Sequence, residues 1–154
     1  FPNHVAVLTQ SCRALANLCR ECAPAQFLMG DKDLVLLHNA SLLACDKSNA
    51  ELAMAVLDIH SSLAVSSKAT CTKLVDTQVV EDTAQYLKVF VEDAMVVDAA
   101  CLVLWEVAQH YGKHVSEICR PVVHAALETH GEEQIRYGTR LLKRLDWKER
   151  FGRR

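Results

Sequence analysis

Apolar residues return at steps of three and four along most of this 154-residue chain, the spacing that lines up one face of an α-helix. From Val5 through the stretch SCRALANLCRECAPAQF (11–27), the positions Val5, Leu8, Cys12, Leu15, Leu18 and Cys19 share such a face. Pro24 predicts the end of this helix, because a proline drives the preceding residue out of the helical region. DKDLVLLHNASLLACDK (31–47) supplies Leu34, Leu37, His38, Ser41, Leu42 and Cys45 to a second helix, with Asp31 or Asp33 capping its first turn. Ser48 or Asn49 opens a third helix to about Val65, with Leu52, Val56, Ile59 and Leu63 on one side. A short helical segment over 67–75 and a helix over about 77–91 follow. MVVDAACLVLWEVAQHYG (95–112) is the most apolar helix, with Gly112 as its stop. VSEIC (115–119) reads as a single helical turn. Pro121 suits the first position of the next helix, where its missing N–H costs nothing. Gly131 ends that helix, and the last one runs from about Glu132 to Glu149. No segment shows convincing strand alternation, although TQVVE (77–81) is short enough to be ambiguous.

The pattern repeats. Ser11, Ala55, Ala100 and Gly138 form a column of small residues. Four residues on stand Leu15, Ile59, Leu104 and Leu142, all large and aliphatic. Two further on stand Asn17, Ser61, Glu106 and Arg144, all polar. Between the columned helices each interval holds a short helix and a longer one: near 25–29 and 33–46, near 67–75 and 77–91, and near 114–119 and 121–129. A small residue lets stacked helices approach, and the aliphatic residue one turn away fills the neighbouring groove. Units of about 40–47 residues with two or three helices cannot bury their apolar faces alone and must stack.

ALANLC followed by APAQFLMGDKDLVLLHNASLL resembles an armadillo repeat. Ala14, Leu15, Asn17 and Leu18 match the third-helix pattern of that family, and Leu34, Val35 and Leu37 match its second-helix stripe. As topology the resemblance covers most of the chain; as motif it is specific near residues 8–43. It implies an all-α, right-handed α-solenoid: an armadillo-type superhelix of about three three-helix repeats plus an N-terminal helix. In such arrays third helices line a concave groove, and their asparagines hold the main chain of extended peptides. Only Asn17 matches that asparagine; Ser61, Glu106 and Arg144 stand in the other columns. One turn earlier, where peptide-binding members often carry tryptophan, stand Arg13, Leu57, Leu102 and Arg140, and Trp105 is off that column by three residues. The ladder used by nuclear-import carriers is largely missing. A HEAT-like stack is the neighbouring possibility.

Composition narrows the class. Hydrophobic residues make up 51%, charged residues 23%, and Gly and Pro total only eight, which excludes a disordered chain. The length suits one domain, 1–154, with a core that buries roughly 68–70% of the surface the unfolded chain exposes. The chain opens on Phe1, so the expectation is a fragment of a longer array, with no signal peptide visible. No apolar run approaches about 18 residues, so none is expected to span a membrane. Seven cysteines at irregular spacing, most within apolar helical patterns, read as core thiols in a reducing compartment. An intracellular, cytoplasmic location is therefore expected.

Candidate chemistry is sparse. Cys19 and Cys22 have CxxC spacing, but no second pair or nearby histidine pair completes a metal site. His110 and His114 have Gly112 between them, and His124 and His130 are six apart, poor ligand geometry on a helix. No phosphate loop, nucleophile elbow or metal-protease motif occurs. No cofactor, metal or catalytic residue is assigned, and an enzyme is not expected. Charge, by contrast, is polarised. Residues 1–135 hold nine basic against seventeen acidic residues, net −8, and residues 136–154 hold eight against two, net +6. The basic end RYGTRLLKRLDWKERFGRR reads either as a solubilising terminal helix or as a docking surface for an acidic protein. Nucleic acid is the weaker partner, since no wider basic surface supports it. The expected function is a non-catalytic scaffold or adaptor binding an extended or helical protein segment with an acidic end. Its concave face would carry Arg13, Asn17, Ser61, Glu106, His110, Arg140, Arg144 and Lys148, with Glu21, Leu57, Val65 and Leu102 beside them. The alternative is a HEAT- or VHS-like module that binds cytoskeletal or trafficking partners through the inter-helix loops at 46–50 and 93–96.

Overall fold

A computed structural model describes residues 4–22 and 31–151, and among these every regular element is an α-helix. In chain order they are α1 (Val5–Glu21), α2 (Asp31–Asp46), α3 (Ala50–Ser66), α4 (Lys68–Asp76), α5 (Val79–Val89), α6 (Ala94–His130) and α7 (Arg136–Phe151). The short helix expected near 25–29 lies outside the described residues.

Local chemistry sets most boundaries. The Asn49 side chain accepts from the Leu52 amide at 2.8 Å, Ser67 from Thr70 at 3.1 Å, and Asp93 from Met95 and Val96. Each satisfies donors that a helix start leaves unpaired. α5 begins at Val79 rather than Thr77, because Gln78 sits in the left-handed region at φ 66°. α7 begins at Arg136 rather than Glu132, because residues 132–134 form a turn after Gly131 (φ 80°).

The largest departure from expectation lies in α6. The helix breaks at Tyr111, one residue before the expected stop at Gly112, but residues 115–130 are continuous helix rather than a turn followed by a helix at Pro121. At Tyr111 the backbone leaves the helical region (φ −119°, ψ 38°), so α6 is two helices that meet at a kink. The Tyr111 hydroxyl bonds Thr72 of α4 at 2.5 Å, which pins the kink from outside, while Gly112 is buried. Pro121 sits exposed inside the helix. The last unit therefore has two helices where three were expected. The middle unit (α4, α5 and the first half of α6) has three.

Contacts between successive units keep a constant separation over two stretches of the chain, while His38–Asp82, from α2 to α5, lies at 44. Arg13–Glu51 and Arg20–Asp58 join α1 to α3, both at a separation of 38 residues. Thr72–Tyr111, Val80–Cys119, Val91–His130 and Asp98–Tyr137 are each 39 apart. Between antiparallel elements the separation would shrink by two for each residue moved along the chain. A constant separation means that each stretch lies alongside the next unit's stretch in the same direction. Residues 72–98 are thus laid on residues 111–137 as one unit upon another, which makes this a helical-repeat architecture.

The core follows the stack. Leu52, Leu57, Ile59, Leu63, Leu74, Leu87, Leu104, Ile135, Leu141 and Leu145 are fully buried, each contributing roughly 1.5–3 kcal/mol by leaving water. Of the small-residue column, Ala55, Ala100 and Gly138 are buried and Ser11 is exposed. The face expected of α1 is split: Cys12, Ala16 and Cys19 are buried with Thr9, whereas Leu15 and Leu18 are 37% and 53% exposed. A β-carbon added at Gly138 would lie 2.7 Å from Ile135 Cγ2 and 3.4 Å from both Cys101 Sγ and Leu127 Cδ2. Gly138 is therefore a close-approach point between α7 and both halves of α6.

A polar seam crosses this core. His38 Nδ1 of α2 lies 2.8 Å from Asp82 Oδ2 of α5, a carboxylate that is almost fully buried. Ser41 donates to the Leu37 carbonyl on the same side of α2. The Tyr86 ring packs on Phe90, and burial pushes its hydroxyl pKa up. Burial raises the Asp82 pKa, against the pull of His38. Burial, with His38 nearby, lowers the His60 pKa to about 4.

Two outcomes follow for stability. Gly138→Val should lower the unfolding free energy by about 1–3 kcal/mol through overpacking, read as a shifted urea midpoint at unchanged slope. His60 is neutral when buried but protonates near pH 6.5 once unfolded, so the unfolded chain binds more protons as pH falls from about 6.5 to about 4. Stability is lost across that window, by up to about 3 kcal/mol from this residue. Asp82, with its raised pKa, acts in the opposite sense at the acid end. The difference in unfolding free energy between wild type and His60→Met, measured at pH 7 and pH 4, should grow in favour of the variant on acidification.

Candidate partner-binding surface

α1, α3, the first half of α6 and α7 are the columned helices, and their pairing sets the surface on which most of the expected site residues stand. At one end the arginines of α1 are spent on the next layer. Arg13 meets Glu51 at 2.9 Å, and Arg20 reaches Asn17 at 3.4 Å and Asp58 at 3.8 Å. Ser61 and Ser62 donate to the Asp58 carbonyl, at 3.1 and 2.8 Å. These ion pairs are well exposed, so each contributes no more than about 1 kcal/mol. They do neutralise this end of the surface. Arg13, Asn17 and Ser61 thus lie in one strip with Glu51 and Asp58 between them.

At the other end the residues are arranged differently. The Tyr137 amide donates to Asp98 Oδ1 at 2.8 Å. Ile135, the residue before α7, has no side-chain acceptor, so Asp98 caps α7 from the neighbouring helix. The same contact seats the Tyr137 ring 6.1 Å from Trp105, and the Arg140 guanidinium lies 5.2 Å over Tyr137. This is a cation–π arrangement on an aromatic pair. Arg136, Arg140 and Lys143 are exposed. Asp146, one of two acids within α7, turns to Arg120 of α6 at 2.7 Å. Among the described residues neither Arg140 nor Lys143 has an ion-pair partner. α7 therefore presents net positive charge beside an aromatic ledge.

The remaining expected residues are scattered around this ledge. Glu106 is half-buried, and its pKa is raised by burial. His110 is exposed at the end of the first half of α6. Arg144 is half-buried, with a buried Nε that has no hydrogen-bond partner among the described residues. The Lys148 side chain lies outside the described residues, as does that of Glu21. Val65 is exposed and Leu102 half-buried, but Leu57 is buried in the core and does not line the surface.

The cysteines are positioned as packing groups. Burial holds the thiols of Cys12, Cys45 and Cys71 up to about 11 and that of Cys119 up to about 12. Among the described residues no group of three His, Cys, Asp or Glu side chains could hold a metal ion. His114 pairs with Glu81 at 3.4 Å, which takes it away from His110.

Tyr137 and Asp98 are the residues of this ledge that the sequence columns missed. Their signal was available in another form. Arg13/Glu51 and Arg20/Asp58 are opposite charges at the same separation of 38, and Asp98/Tyr137 lies one residue further. No protein-family profile matches the chain, and no curated protein or solved structure matches it.

Removing the cap that holds this ledge should be measurable. Asp98→Ala should cost about 1 kcal/mol of stability, with faster amide hydrogen exchange at the start of α7. Asp98→Asn, which keeps an acceptor, should cost less.

Proposed function

We propose that this chain is a non-catalytic interaction module: a right-handed armadillo-type stack that holds an extended or helical protein segment with an acidic end. The observation that carries the reading is the pair Arg140 on Tyr137, backed by Trp105, on a helix whose Asp146 is drawn away to Arg120. An exposed guanidinium fixed over an aromatic ring offers a carboxylate both charge and a planar fork of donors. The neighbouring strip, where Arg13 and Arg20 are already paired, supplies a neutral continuation for the rest of the segment. Elongated partners suit the long side of a repeat stack. Partner discrimination then rests on the acidic end, because the asparagine ladder that would hold any main chain is reduced to Asn17. The buried, proton-holding thiols suit a reducing compartment, and a cytoplasmic location is part of this proposal. No helix among the described residues is long and apolar enough to cross a membrane.

Charge reversal tests the placement. A fluorescently labelled peptide with an acidic C-terminal run should bind wild type, and affinity should fall about tenfold or more in Arg140→Glu. Arg140→Glu/Arg144→Glu should weaken it further. Lys113→Glu, exposed and remote from the ledge, should leave binding unchanged. Affinity purification with mass spectrometry on wild type and the double variant then identifies the natural partner. Equal peptide affinity for wild type and Arg140→Glu rejects the ledge as the docking point.

A further inference from the structure

α2 is apolar on two opposite faces. Leu34, Leu37, Ala40, Ser41 and Ala44 face the core and are buried. Opposite them stand Lys32, Val35, Leu36, Asn39, Leu42 and Asp46, all exposed, with Leu36 at 59% and Leu42 at 51%. At about 100° per residue, Asn39 falls at the centre of this outer stripe. Beside it runs a cleft of about 410 Å³ between Leu8 of α1 and the Leu36-to-Asp46 side of α2.

The stripe reads the same in both directions about Asn39. Leu36 and Leu42 are three residues either side, Val35 and the half-buried Leu43 four, and Lys32 and Asp46 seven. The outermost pair carries opposite charges. An antiparallel copy laid across α2 with its two-fold axis at Asn39 sets Leu36 on the partner's Leu42. The same operation sets Val35 on the partner's Leu43 and Lys32 opposite the partner's Asp46. Two-fold symmetry makes each contact twice. The two Asn39 amides meet on the axis, where a single amide pair in an apolar seam fixes register. Asp46 already touches its chain neighbour Lys47 at 3.4 Å, but both are well exposed and the pair leaves the carboxylate accessible.

Charge disfavours self-association through α7. α7 against a second α7 would oppose Arg136, Arg140 and Lys143 to themselves. α7 against α2 would bury those cations on Leu36 and Leu42. We propose that the outer stripe of α2 is a homodimer interface, in which two copies pair antiparallel about Asn39 with Lys32 and Asp46 as reciprocal ion pairs. This goes beyond the interaction reading above and is independent of it.

Light scattering on a sizing column tests it. Wild type at tens of micromolar should have about twice the 17.1 kDa chain mass. Lys32→Asp and Asp46→Lys should each weaken the dimer about tenfold, since each turns two attractions into repulsions. The double swap Lys32→Asp/Asp46→Lys should restore dimerisation to within about threefold. Both swaps favour the α2 dipole, an acid in its first turn and a base in its last, so weakened pairing does not come from a weakened helix. Leu36→Glu should be monomeric, and Arg140→Glu should remain dimeric. Monomeric wild type, a double swap no better than the singles, or a dimer indifferent to Leu36→Glu overturns the proposal.

Discussion

The structure depends on one constraint: polar contacts fix how each unit sits on the next, at a separation of 38 between α1 and α3, 44 between α2 and α5, and 39 from α4 to α7. A fixed register gives each layer the same neighbours on the same sides, and stability becomes a sum of layer and interface contributions. Apolar surfaces alone do not supply it. Ala, Val and Leu faces slide past one another at modest cost, whereas hydrogen-bonding atoms tolerate no such shift. The polar contacts between layers are therefore the residues that choose one stacking among several. His38 on Asp82 is the deepest of them. A slip of one turn would leave that carboxylate buried without its partner, a cost larger than any single surface ion pair.

The first and last described layers differ in what they expose, and the difference follows from the same periodicity. In the inner layers, Ala55, Ile59, Ala100 and Leu104 are closed by neighbours. At the first layer the corresponding Ser11 and Leu15 are open, with Leu18 beside them. At the last layer α7 turns Leu141 and Leu145 inward and arginine and lysine outward. The first carries an apolar surface of little net charge and the last a charged one. The strong net charge of residues 136–154 is thus a property of the last described layer rather than of the whole surface.

Much of the fold was legible because it is written in period and caps. Asn49 and Gly131 lie where the sequence places a cap or a stop, and the small-residue column is buried at Ala55, Ala100 and Gly138. What was not legible depended on tertiary partners. The stop signal at Gly112 shows as a kink one residue earlier, but the chain resumes at once as a helix to His130 that runs through Pro121, where a turn and a second helix were expected. Thr77 is a good cap type, yet Gln78 adopts the left-handed turn that starts α5. In the candidate site, Leu57 was misplaced because a column fixes a position along a helix more tightly than its rotation. A difference of one residue is about 100°, enough to carry a side chain from the groove into the core. Asp98 was missed because a cap read from sequence is sought within a few residues of the helix it serves, and this one comes from 39 residues upstream.

The Asp98 cap also joins architecture to binding. It is a register contact, since it ties α6 to α7 at a separation of 39, and it holds Tyr137 beneath Arg140. A guanidinium on a long flexible stem gains little from an isolated carboxylate in water, because ordering the side chain offsets much of the attraction. Set against a ring that is itself seated on Trp105 and anchored through its backbone amide, the same group loses less freedom on binding. The repeat thus contributes to recognition by pre-ordering one cation rather than by presenting a ladder of asparagines. On the proposed function, this is how a stack with a single groove asparagine would hold a partner selectively: the contact that ties α6 to α7 also keeps Arg140 in place.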